Sequence, residues 1–177
     1  PMYALFVDFV KAFDTVNRAL LIEKLKNRFQ LSANYLDLIN DMMSPTLLRF
    51  TTQQCQCRTF HDEHTKIMQT RGIPQGDSLS PLLFILFIDD FTEYIKEKCP
   101  NSDWTLYADD AVGLTNDQDE MRRMLTALNE WTNINGLKVN TNKTKIMKFR
   151  RGGRLKNSDC FTYEDQNIEI VNTFVYL

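Results

Sequence analysis

Thr105-Leu106-Tyr107-Ala108-Asp109-Asp110-Ala111-Val112, TLYADDAV, sets two adjacent carboxylates inside an otherwise apolar run. Trp104 and Leu106 alternate with polar residues before the pair, and Val112 and Leu114 do so after it, which predicts strand, tight turn, strand with the aspartates at the tip. Aspartate suits turns because its side chain bonds to nearby backbone, so a lone Asp-Asp turn reads as structural. A third carboxylate changes the balance. Residues 2–9, MYALFVDF, are almost continuously apolar, as in a strand covered on both faces, and Asp8 sits near the end of that run. On a strand neighbouring the hairpin, Asp8 would make a partly buried cluster that cannot stay fully ionised without cations. Hard oxygen ligands free of histidine and cysteine suit magnesium, or manganese, rather than zinc. Two such ions about 3.5–4 Å apart stabilise the attacking and leaving oxygens in phosphoryl transfer. Nucleotidyl transfer is the chemistry these residues suggest first.

Working outward, 177 residues with 43% hydrophobic and 25% charged content can bury one core and exclude a disordered or fibrous chain. The chain starts at Pro1 directly with an apolar strand and stops within NTFVYL, so it reads as a piece of a longer polypeptide. Its longest apolar run, PLLFILFI from Pro81 to Ile88, falls far short of the roughly 20 residues that cross a bilayer, and no secretion signal is visible. No membrane partner is expected. The four cysteines, Cys55, Cys57, Cys99 and Cys160, lack CxxC spacing and read as free thiols. Cys55, Cys57, His61 and His64 form a C-x-C-x3-H-x2-H series that matches no usual zinc frame. A net charge of -2 argues against a nucleic-acid partner. Against that stand Lys143, Lys145, Lys148, Arg150, Arg151, Arg154 and Lys156, which have no acidic residue among them and form either a local basic face or a solvated hairpin.

Between Asp8 and the hairpin the pattern is helical. Leu21, Ile22, Leu25 and Phe29 recur at helical spacing, and after Ser32, a good N-cap, Leu36, Ile39 and Met43 repeat it. Two strands are expected within residues 46–69. Gly72, Pro74 and Gly76 make a loop leading into Ser78-Leu79-Ser80-Pro81, where a serine cap and an early proline announce a helix. Phe84, Phe87, Ile88, Phe91, Tyr94 and Ile95 give it one long stripe, and its first half, apolar all round, is expected to be deeply buried. After the hairpin, Thr115-x-x-Gln118 matches a capping box for a helix with the stripe Met121, Met124, Leu125, Leu128, Trp131, ended by Gly136. Short strands are expected at Leu137–Val139, Lys145–Arg150 and Ile168–Val175. The whole reads as α+β, an antiparallel sheet with helices.

Five stretches together carry a family resemblance. FVDFVKAFDTVN (Phe6 to Asn17), RGIPQGDSLSPLLF (Arg71 to Phe84), LYADD (Leu106 to Asp110), GLKVNTNKTKIMKF (Gly136 to Phe149) and FVYL (Phe174 to Leu177) resemble, in order and spacing, palm motifs A to E of reverse transcriptases. Their wording is most similar to non-LTR, LINE-like retrotransposons. The resemblance spans residues 1–177 as one partial palm domain and implies a right-hand polymerase palm, its antiparallel sheet covered by helices on one face, with fingers and thumb largely missing. It implies Asp8 and Asp109 as main ligands of two Mg²⁺ ions (or Mn²⁺), Asp110 as a supporting one, and the Phe9 carbonyl as a further ligand. Phe13 would lie beneath the incoming sugar and exclude a ribose 2′-hydroxyl, the alternative being a core aromatic. Gln75 and Gly76 would contact the nascent base pair, and Lys143 would protonate the leaving group. Arg71, Tyr107, Phe174, Tyr176 and Leu177 would meet template or primer; loop, surface or core roles are their alternatives.

The activity implied is RNA-directed DNA polymerisation from dNTPs, on an RNA template, from a DNA primer or nicked target DNA, in the nucleus. A group II intron-type or telomerase-like reverse transcriptase shares most of these motifs, and a non-catalytic nucleic-acid-binding relic would retain the same fold. Because the family's triphosphate-binding basic residues lie upstream of Pro1, the chain alone is expected to be a poor catalyst.

Overall fold

The computed structural model describes residues 1–43, 70–149 and 159–175, together with the backbone of 47–48 and 67–68. The apolar start forms β1 (Met2–Asp8), followed by a turn of helix α1 (Ala12–Thr15), then α2 (Arg18–Asn27) and α3 (Ala33–Met42). Asn17 caps α2 by accepting from the N–H groups of Ala19 and Leu20. The short strands β2 (Leu47–Leu48) and β3 (Ile67–Met68) pair antiparallel. The series Cys55, Cys57, His61 and His64 lies outside the described residues, whereas Cys99 is a buried free thiol and Cys160 an exposed one.

Helices α4 (Ser80–Ile88) and α5 (Phe91–Lys98) replace the single long helix expected, because Asp89 and Asp90 separate them. Those aspartates bind neighbours: Asp90 receives Lys24 Nζ at 2.7 Å and Trp131 Nε1 at 3.2 Å, and Asp89 receives Arg28 Nε at 2.6 Å. No serine caps α4. The Ser80 hydroxyl turns back to the Pro74 carbonyl, and Asp77 accepts from the Leu79 N–H at 2.8 Å. Nor is the first half of the expected long helix, now α4, wholly buried: Leu82 and Ile85 are each 50% exposed, so an all-apolar helix presents one side to the surface.

The hairpin strands β4 (Ser102–Tyr107) and β5 (Asp110–Thr115) lead to α6 (Gln118–Asn135), which Gly136 ends in the left-handed conformation. Its cap is Asp117, accepting from Asp119 and Glu120; Thr115, expected in that role, belongs to β5. After it come β6 (Lys145–Phe149), the hairpin β7 (Thr162–Tyr163) and β8 (Gln166–Asn167), and β9 (Glu169–Val171). Leu137–Val139 contributes a single bridge, Phe9 to Val139, instead of a strand. The main sheet runs β4-β5-β1-β6-β9, antiparallel except for the β6–β9 pair, which is parallel.

Register sorts the sheet into two faces. Tyr3, Leu5 and Val7 of β1 pair with Thr115, Gly113 and Ala111 of β5, and all six are buried beneath the helices. The core there centres on Trp131, with Phe91 edge-on to both Trp131 and Trp104 at 4.9 and 5.0 Å. The alternation in β5 is thus the reverse of that expected: Val112 and Leu114 face outward. The inward places take small residues because the large ones arrive from elsewhere; a Cβ on Gly113 would lie 2.5 Å from Met124 Cε and 2.7 Å from Trp104 Cζ2. The opposite face carries Phe6, Asp8, Asp110, Val112 and Tyr107. Among the described residues, no helix is long and apolar enough to cross a membrane.

Candidate active site

The outer face brings the distant carboxylates together. Asp8 is the direct cross-strand partner of Asp110, which pairs in turn with Tyr107, so the loop between them is the two residues Ala108 and Asp109. Ala108 takes φ +50, the only positive φ of the two, at a place where glycine is the default. Apolar strands on both sides keep that strained turn in place.

A second turn closes over Asp8. Its N–H donates to Thr144 Oγ1 at 3.2 Å and its carbonyl accepts from the Asn140 N–H at 2.7 Å, while the N–H groups of Lys143 and Thr144 close on the Asn140 carbonyl. Asn-Thr-Asn is turn chemistry, and the fold uses it to suspend Lys143 over the site. Lys143 Nζ lies 3.6 Å from Asp8 Oδ1, both side chains reaching solvent. Because Asp8 and Val10 direct their backbone groups toward residues 138–144, alternation turns those of Phe9 toward the hairpin. The Phe9 side chain is buried in the core.

These residues line a cleft of about 390 Å³ formed by Phe6, Val7, Asp8, Asp110, Asn142, Lys143, Lys145, Phe174 and Val175. Phe174 packs at a tilt against Phe6 with ring centroids 4.5 Å apart, which forms one wall. Burial first, then the charges of Asp109 and Asp8, push the Asp110 carboxyl above its ordinary range, with Lys143 opposing them. Such mutual repulsion is what a divalent cation relieves, and oxygen donors are what Mg²⁺ prefers, so the residues fit that ion. Among the described residues, no three of these groups are gathered into a ready-made metal cluster. Asp109 stands at the turn beside the cleft.

The motif-bearing loop before α4 is tied to α1 and the residue that follows it, through the Ile73 N–H to the Phe13 carbonyl and the Gly72 N–H to the Val16 carbonyl. Phe13 stacks on Phe84 at 4.6 Å and is half-buried. Gln75 is exposed and donates from Nε2 to Asp14 Oδ1 at 2.8 Å; Gly76 has φ +86 and open space around it. The Arg71 guanidinium lies beside Gly136 at the end of α6. Tyr107, 67% exposed, lines a separate groove with Leu106, Ala108, Pro81, Ile85 and Ile88. Tyr176 and Leu177 lie outside the described residues, as do Arg150, Arg151, Arg154 and Lys156. The expected basic face is partly neutralised: Lys145 pairs with Glu169 at 2.7 Å, and Lys148 pairs with Asp159, which also accepts from Tyr3 Oη. Asp14, Asn142 and Thr144 join the site without having been singled out from sequence; the Asn-Thr-Asn run at 140–142 was the available signal for Asn142.

The family model for reverse transcriptase (RNA-dependent DNA polymerase) matches residues 2–169. The retrovirus-related Pol polyprotein from type-1 retrotransposable element R2 of Popillia japonica is 26% identical over 185 residues, covering 97% of this chain. The chain spans only 29% of that protein. Among solved structures, apo telomerase from Candida tropicalis aligns with a TM-score of 0.65 at 15% identity, over 94% of this chain and 31% of that one. Telomerase from the same organism in complex with the TWJ fragment of telomeric RNA gives 0.65 at 16% identity, over 86% and 26%. At such identities the likeness is one of fold, here the reverse transcriptase palm. With a family match running from the first strand through the aspartate hairpin and on to β9, the chain belongs to the reverse transcriptase (RNA-dependent DNA polymerase) family.

Proposed function

We propose that this chain is the catalytic palm of an RNA-directed DNA polymerase of non-LTR retrotransposon type, which copies an RNA template by adding dNTPs to the 3′-hydroxyl of a DNA primer or nicked target. The nucleus is its place of action. The observation that carries the reading is the register of β1 and β5, which sets Asp8 against Asp110 with Asp109 at the adjoining turn. Asp8, Asp109, Asp110 and the Phe9 carbonyl would hold two Mg²⁺ ions. Bound there, divalent ions supply activation of the hydroxyl and neutralisation of the departing pyrophosphate.

The chain's own residues do the rest. Lys143, suspended over Asp8, holds a proton on Nζ within reach of a leaving group in the cleft. Phe13, backed by Phe84, is a rigid surface on which a deoxyribose fits and a 2′-hydroxyl collides. Tyr107 with Ile85 offers exposed apolar area beside the hairpin tip, suited to the edge of a primer–template duplex. Primer extension on an RNA template by the full-length protein, with dNTPs and Mg²⁺, tests the proposal. Extension is expected from the wild type and is lost in Asp8→Asn and Asp109→Asn; activity that survives both substitutions defeats the assignment.

A further inference from the structure

The loop that carries Gln75 is fastened to the helical turn that carries Phe13. The Gly72 N–H donates to the Val16 carbonyl and the Ile73 N–H to the Phe13 carbonyl, both at 2.9 Å. Arg18 Nε donates to the Gly72 carbonyl at 2.7 Å, and the Ser80 hydroxyl donates to the Pro74 carbonyl. Gly72 permits this approach, since a Cβ there would sit 2.5 Å from the Asp14 carbonyl oxygen. With the backbone anchored on both sides, the freedom left to Gln75 is in its side chain.

Asp14 removes it. Gln75 Nε2 meets Asp14 Oδ1 at 2.8 Å. An ionised carboxylate can only accept, whereas a carboxamide has a donor end and an acceptor end. The pair therefore forms in one orientation, with the amide NH₂ on Asp14 and Oε1 turned away. We infer that Asp14 is a positioning residue that orients the Gln75 amide so that its oxygen, an acceptor, faces the incoming nucleotide and recognises a hydrogen-bond donor there. This rests on the reading of Gln75 as a nucleotide-contacting residue.

The test is a set of variants of the full-length protein, assayed for dNTP kinetics on an RNA template. Asp14→Ala is expected to raise the KM for dNTP about tenfold with a smaller change in kcat, the loss of one charge-assisted hydrogen bond. Gln75→Ala should match it, and the double variant should be no worse than either single one, because the two side chains act as a unit. Gln75→Glu sets two carboxylates against each other and should lose more. Adding Asp14→Asn to Gln75→Glu restores one N–H to oxygen bond with an acceptor still facing outward, so it should recover most of the KM; a general loss of folding would not be recovered this way. Wild-type KM in Asp14→Ala beside an impaired Gln75→Ala overturns the inference and leaves the role of Gln75 standing. Additive losses, or a swap that recovers nothing, overturn it too. Wild-type KM in Gln75→Ala overturns the reading beneath it.

Discussion

Replacing Asp110 with Asn removes one negative charge from a face where Asp8 lies directly opposite and Asp109 adjoins it. Cross-strand partners have Cβ atoms about 4.5–5.5 Å apart, and two unit charges about 5 Å apart repel by roughly 0.8 kcal/mol in bulk water and about 3 kcal/mol at an effective dielectric constant of about 20. Because both carboxylates reach solvent, the lower end applies, about 1 kcal/mol. In the presence of a chelator at pH 7, Asp110→Asn is thus expected to stabilise the 177-residue chain and raise its Tm by about 2–4 °C. The pH dependence follows from the raised Asp110 carboxyl. The folded state holds that proton more tightly than the unfolded one, so the favourable contribution is complete below the unfolded value of about 3.9 and is lost as pH rises through the folded value. Asn does not titrate. The gap between the two proteins should therefore be widest at neutral pH and close as pH falls toward 4. Thermal denaturation followed by circular dichroism across that range measures it. A variant that melts below wild type at pH 7, or a gap that does not change with pH, refutes the repulsion argument.

Three further outcomes follow from particular contacts. Gly72→Ala combines φ +81 with a Cβ 2.5 Å from backbone, whereas Gly76→Ala has φ +86 and free space; urea denaturation should show a loss of about 1–2 kcal/mol for Gly76→Ala and clearly more for Gly72→Ala. Asp117→Ala should cost about 1 kcal/mol by removing the cap of α6, and Gln118→Ala, tested the same way, should show no capping loss of its own. Phe13→Val shortens the ring that stacks on Phe84 and should let the full-length enzyme incorporate ribonucleotides; unchanged discrimination against them removes the gate role.

Much of the fold was legible because its signals are local. An unbroken apolar run made β1, a stripe at helical spacing ending in glycine made α6, and the hairpin formed where expected, although its two-residue loop is Ala108 and Asp109, and Asp110, expected at the tip, opens β5. The errors came where a side chain found a partner far away in sequence. Asp89 and Asp90 split the expected long helix because Lys24, Arg28 and Trp131 wait for them. Thr115 yielded its capping role because it sits in a strand, two residue pairs beyond Gly113. Local pattern also misjudged the phase of β5, since Gly113 points inward to leave room for Trp104 and Met124.

Sequence alone determined the order and spacing of the motifs and the residue types they carry, because those are properties of the chain. Tertiary structure decided what those residues face. Register, which no single strand encodes, set Asp8 against Asp110, left Asp109 at the turn and placed Lys143 above them. It also tied Gln75 to Asp14 and carried Arg71 to the end of α6, because hydrogen bonds and packing act over ångströms in space while a sequence measures separation only along the chain.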